Sequence, residues 1–188
     1  MKKLLNPIEY FDEKKLLTIN LIIFIAGTTL AIFMKAVFGS PIDLHFAPEI
    51  SVLNTLPSNI YAILLMTAAL FISGKIINSK TRFIDCLNLS LYLRIPYYFL
   101  TFWNITGTFS DMTSKLLNQN SITELLPSST IDMIVITSFS ILSLIALALK
   151  ALIVYFSFKT ISNAKKIADY LILVGVFLTI LILSLFLF

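Results

Sequence analysis

Apolar residues run in five long blocks along this chain, broken by short polar segments. They cover Leu16 to Phe38, Ser58 to Ile77, Phe83 to Trp103, Ile131 to Phe158 and Ile167 to Phe188. Each reaches the roughly 20 residues that a helix needs to cross a hydrocarbon core about 30 Å thick. The pattern predicts an all-α, polytopic membrane bundle of five transmembrane helices forming one domain over residues 1–188. The first block is too long for a secretory signal core, which is about 7–15 residues. No small-residue cleavage pattern follows it, so it reads as a retained signal anchor.

Composition agrees with that class: 58% of the 188 residues are hydrophobic and 13% are charged. Ten of the fourteen cations fall on one side of the five blocks. Lys2, Lys3, Lys14 and Lys15 precede the first, Lys75, Lys80 and Arg82 join the second to the third, and Lys159, Lys165 and Lys166 join the fourth to the fifth. The segment from Gly39 to Pro57 has none, and that from Asn104 to Thr130 has only Lys115. By the positive-inside rule the amino terminus is cytoplasmic and the carboxyl terminus is outside. The net charge of +4 is therefore a topology signal, with no nucleic-acid partner implied.

The chain gives little sign of chemistry. Cys86 is the only cysteine and His45 the only histidine, so no multi-cysteine metal site or internal disulfide is expected. His45, beside Asp43 and Glu49, reads as a solvated loop residue. Phosphate-cradling glycine loops and the hydrolase and zinc-protease motifs are missing. No enzyme activity and no cofactor are expected. Asn104-Ile105-Thr106 and Asn88-Leu89-Ser90 match a glycan acceptor pattern, but one abuts the membrane and the other lies inside a span.

Local signals add detail at the ends. Asn6-Pro7-Ile8-Glu9 predicts a short interfacial helix, with Asn6 as N-cap and Glu9 reaching back to it. In the 27-residue outer loop 104–130, Ser110-Asp111-Met112 predicts the start of a surface helix carrying Leu116 and Leu117. Lys35, near the outer end of the first span, can extend its ammonium to the interface.

The polar residues inside the spans form the candidate site. On the third, Asp85, Asn88 and Tyr92 share one face and Ser90, Arg94, Tyr97 and Thr101 another. Asp85 and Arg94 are nine residues apart, on opposite sides at about 100° per residue, and cannot pair. Polar groups on two faces require protein on both, which places this helix centrally. Arg94 lies ~16 Å from the inner end, near the midplane. Pro96 cannot donate to Tyr92 and predicts a break beside it. On the fourth span Ser140, Ser143, Lys150 and Ser157 form a stripe facing the bundle, with Lys150 toward the cytoplasmic half. Lys150 is expected to approach Asp85 or Asp169, each near the cytoplasmic end of its helix.

Arg82-Phe83-Ile84-Asp85-Cys86-Leu87, followed by Leu93-Arg94-Ile95-Pro96, resembles the corresponding helix of bacterial members of the Yip family, five-span proteins named for their Ypt/Rab-interacting relatives. Asn6-Pro7 ahead of the first span and a cytoplasmic amino terminus are similar as well. The resemblance implies a non-enzymatic membrane protein. Eukaryotic members bind Rab GTPases in traffic between endoplasmic reticulum and Golgi, through a long cytoplasmic amino-terminal region. Here only about fifteen residues precede the first span, so Rab binding is not carried over. Asp85, Arg94 and Pro96 carry over as signature positions of structural rather than catalytic role.

The leading expectation is a scaffold, lipid-organising or partner-binding protein of the bacterial inner membrane. Its partners would be membrane lipids, other membrane proteins or a second copy of itself. The alternative is a small oligomeric transporter or channel in which Arg94, beside Pro96, binds an anionic solute or headgroup. A third reading is an intramembrane enzyme using Asp85 and Asp169. A water-accessible cavity at Arg94 would favour transport, a dry Arg94 the scaffold, and carboxylates in hydrogen-bond reach the enzyme.

Overall fold

The computed structural model describes residues 2–117 and 129–185, with the backbone alone at Leu185. The outer-loop residues 118–128 and the last three residues of the fifth predicted span lie outside the described set. Two short helices, α1 (Lys2–Leu5) and α2 (Pro7–Tyr10), lead into α3 (Glu13–Phe33), and α4 (Val52–Ile77) follows. The middle of the chain holds α5 (Phe83–Tyr92), α6 (Ile95–Leu100), a 3-10 turn (Thr101–Asn104) and α7 (Thr108–Leu117). Two long helices, α8 (Thr130–Ser162) and α9 (Ile167–Leu185), complete it. Among the described residues the fold is all-α apart from one minimal hairpin, β1 (Ala36–Val37) with β2 (His45–Phe46).

Among the described residues four helices are long and apolar enough to cross a membrane: Glu13–Phe33, Val52–Ile77, Thr130–Ser162 and Ile167–Ser184. Their outward faces carry Ile22, Ile25, Leu144, Ile145, Leu171 and Leu178, all exposed. Lipid, being as apolar as these side chains, imposes no cost on that exposure. Local signals set the helix ends. Asp12 caps α3 by accepting from the Lys15 amide at 3.3 Å. Ser129 caps α8 by accepting from the Asp132 amide at 3.1 Å. Asn163, in the left-handed region at φ 54°, ends α8.

The third predicted span is not one continuous helix. The missing amide of Pro96 leaves the Tyr92 carbonyl without its helical donor. The turn tightens there: the Arg94 amide bonds to Leu91, and the Tyr97 amide to Arg94, both three residues back. The segment thus divides into α5 and α6 around Leu93 and Arg94. The first predicted span also ends early, at Phe33 instead of Phe38. Lys35 takes a left-handed conformation at φ 52°, which turns the chain back toward the bundle as β1.

Burial falls into two clusters. One gathers Ala31, Phe38, Phe46, Ala62, Tyr97, Tyr98 and Ala146, and the other Leu70, Cys86, Leu89, Leu93, Ile153, Phe158 and Leu173. Leu93 belongs to one and Tyr97 to the other, so the break at Arg94 lies where they join. The expected central position of this segment is met. Asn88 and Ser90 are buried on one side of the break, and Arg94, Tyr97 and Thr101 on the other.

At the amino terminus, Asn6 precedes α2 as expected, but the capping box does not form as predicted. The Asn6 amide bonds to the Lys2 carbonyl, and Glu9 instead accepts from the Asn6 side chain at 2.6 Å. The same Asn6 Nδ2 donates to Thr160 Oγ1 at 2.8 Å, which docks the segment on α8.

Candidate intramembrane polar site

The site is assembled by the turn between β1 and β2, which places three consecutive carbonyls against three polar side chains. Arg94 Nη2 donates to the Ser40 carbonyl at 3.1 Å, Lys150 Nζ to the Pro41 carbonyl at 2.6 Å, and the Tyr97 hydroxyl to the Ile42 carbonyl at 2.9 Å. Buried backbone carbonyls need hydrogen-bond donors. These three side chains supply them. Because α6 begins just after Arg94, Arg94 and Tyr97 project from one broken turn toward the same strip of backbone.

Aromatic faces complete the surroundings of both cations. The Arg94 guanidinium lies 5.2 Å from the Phe38 ring centre, and Lys150 Nζ lies 3.7 Å from that of Tyr97. Phe38 meets Tyr98 edge-on at 5.6 Å. The Tyr98 hydroxyl and Thr28 Oγ1 both accept from Asn59 Nδ2, at 2.9 and 2.8 Å, which ties the network to α3 and α4. Arg94 is 2% exposed and Lys150 6%. Neither forms an ion pair among the described residues. Arg94 Nη1 is buried with no hydrogen-bond partner among them.

The nearby carboxylate is committed elsewhere. Asp43 Oδ2 lies 2.8 Å from His45 Nδ1 across the turn. That hydrogen bond holds the Asp43 carboxyl below its usual range against the opposing effect of burial, with a smaller contribution from the charge of Arg94. The same bond raises His45 above its usual range. His45 is thus a paired residue rather than a free loop histidine.

The expected approach of Lys150 to Asp85 or Asp169 does not form. Asp169 accepts from the backbone amides of Lys165 and Lys166, at 2.8 and 2.9 Å, and so caps the start of α9. Asp85 faces Arg82, whose Nε lies 3.8 Å away, and Arg82 in turn pairs with Glu13. Asp85 lines a polar cleft with Glu13, Arg82 and Asn88. Lys150 points instead to Pro41 and Tyr97. The reason is competition: both carboxylates already have local donors within a few residues, whereas the Pro41 carbonyl has none.

Of the five site residues expected, Arg94 and Lys150 converge on one strip of backbone, Pro96 creates the break that aims Arg94, and Asp85 and Asp169 stand apart. No hydrogen bond joins the two carboxylates among the described residues. The polar stripe of α8 holds only in part: Lys150 and Ser157 are buried, while Ser140 is exposed. Ser40, Pro41 and Ile42 contribute backbone oxygens, which side-chain type does not mark in a sequence. The Gly39-Ser40-Pro41 turn signal was the one available hint.

Among the described residues no group of three or more His, Cys, Asp or Glu is placed to hold a metal ion. No family model, no curated protein and no solved structure matches this chain.

Proposed function

We propose that this chain is a five-crossing, non-enzymatic integral membrane protein of Yip type. In this reading it lies in the bacterial inner membrane with a cytoplasmic amino terminus, as a scaffold that organises lipids or membrane partners. The fifth crossing would be the broken segment from Phe83 to Asn104. Its 22 residues would reach about 33 Å if aligned along one axis at 1.5 Å per residue, enough for the hydrocarbon core.

The observation that carries the scaffold reading is the state of Arg94. It is 2% exposed, anchored to the Ser40 carbonyl, and lines none of the described cavities. A transporter binding its solute at Arg94 needs water to reach the guanidinium. A buried guanidinium that braces a backbone turn serves architecture instead.

Cysteine accessibility tests the orientation. With Cys86 replaced by Ser, single cysteines at Glu49 and Lys80 should react with an impermeant maleimide from opposite sides, Glu49 from outside. Labelling of both from one side would sink the five-crossing topology. Uptake of an anion into proteoliposomes that disappears in Arg94→Leu would replace the scaffold by a transporter.

A further inference from the structure

Between α4, α8 and α9 lies a cavity of about 300 Å³, walled by Pro41, Met66, Leu147, Lys150, Leu173 and Phe177 among others. Lys150 is the only charged residue in its lining. Its volume is at the lower end of the range for small-molecule sites, ~300–1,000 Å³. Leu147 is 44% exposed, so one wall of the cavity belongs to the surface that the bundle turns to lipid.

The charge in this wall is uncompensated by protein. Lys150 has three donors, of which the Pro41 carbonyl takes one and the Tyr97 ring face shields another. Arg94 hangs on the adjacent carbonyl with Nη1 unpartnered, so two buried cations lie on neighbouring peptide groups without a carboxylate in ion-pair reach among the described residues. Taking such charges out of water costs several kcal/mol each, and an anion in contact with Lys150 recovers part of that cost. An anion reaching Lys150 through apolar walls must itself be mostly hydrocarbon.

We propose that this cavity binds the chain of a long-chain carboxylic acid that comes from the bilayer, with its carboxylate on Lys150. A carboxylate suits the site better than a phosphate monoester. One ammonium satisfies a two-oxygen head, whereas three phosphate oxygens and a charge near −2 call for several donors. The other lining side chains are apolar or aromatic, which suits a single hydrocarbon chain. The inference rests on the membrane-embedded reading above and names the lipid class that such a protein would hold.

The test uses the full chain in phosphatidylcholine vesicles, with insertion scored first by resistance to alkaline extraction. A diazirine-bearing palmitate is then photo-crosslinked and the adducts mapped by mass spectrometry. Adducts should fall on the peptides around Leu147 and Phe177, and unlabelled palmitate should compete where hexadecanol and acetate do not. Lys150→Met should lower the specific yield by about tenfold or more, as expected for truncating one partner of a buried charge pair, while Lys150→Arg retains it. Leu147→Trp, which narrows the cavity while retaining Lys150, should abolish it. Equal yields in wild type and Lys150→Met, or full yield in Leu147→Trp, would overturn the proposal, and stronger competition by hexadecyl phosphate would overturn the choice of carboxylate. If Lys150→Met does not insert, Leu147→Trp alone decides. Failure of the wild-type chain to insert would instead refute the membrane reading beneath it.

Discussion

Arg94 donates to the carbonyl of Ser40 at 3.1 Å across 54 positions of sequence, and this bond ties the broken helix to the turn between β1 and β2. Next to it, Lys150 and Tyr97 hold the following two carbonyls. The turn is therefore held by side chains of two separate helices.

Replacing Arg94 by Leu removes the charged donor to the Ser40 carbonyl and leaves it only the longer bond from the Asp43 amide at 3.3 Å, which should cost roughly 1–3 kcal/mol. Arg94→Lys keeps the charge but loses the planar fork and should recover only part of that. Both proteins should still insert. Hydrogen exchange at residues 36–46 is the discriminating measurement: the amides there should exchange faster in Arg94→Leu, and unchanged protection would show that Arg94 does not brace the turn.

Gly27 on α3 packs flat against the ring of Tyr98, so a Cβ at position 27 would overlap ring carbons that cannot swing aside. Gly27→Ala should destabilise the bundle by roughly 1–3 kcal/mol despite the higher helix propensity of alanine. Gly175, with nothing near its Cβ position, provides the control: Gly175→Ala should be neutral or slightly stabilising. Thermal unfolding in one detergent compares the two.

The Asp43–His45 pair makes the turn pH-sensitive in a defined window. His45 is raised above 6.5, so its contribution is complete below that value and is lost as pH rises through the higher folded-state value. Asp43 is lowered below 3.8, so its contribution is present above that value and is lost as pH falls through the lower one. The turn should be most stable between about pH 4 and 6.5. Both groups are about half exposed, so the effect is modest, below roughly 1 kcal/mol. His45→Gln should flatten the upper edge of the profile; an unchanged edge would remove His45 from this role.

Asn6 links the amino terminus to α8 through Thr160. A double-mutant cycle of Asn6→Ala with Thr160→Val should give a coupling of about 0.5–1.5 kcal/mol. Additive effects would mean that the amino-terminal segment is not docked there.

Cys86 is fully buried in the cluster that also holds Leu70, Leu89 and Leu93. Its alkylation in the native protein should therefore follow the rate of unfolding and accelerate in Gly27→Ala. Fast labelling of the wild type would contradict its burial.

Residue order alone marks the apolar segments, four of which form helices of spanning length among the described residues, because hydrocarbon thickness imposes a length that composition reveals directly. It also located the break beside Pro96, since a missing amide acts within one turn of its own position. Helical spacing separated Asp85 from Arg94 for the same local reason. Tertiary structure alone decided where the long cations went. Asp85 and Asp169 were taken by Arg82 and by the start of α9, neighbours in sequence whose claim could not be weighed before the chain was folded. Lys150 and Arg94 then met backbone oxygens of a turn that re-enters the bundle after Lys35 reverses the chain. Every residue carries such an oxygen, so residue type could not mark Ser40 and Pro41, and only the path of the chain made them partners.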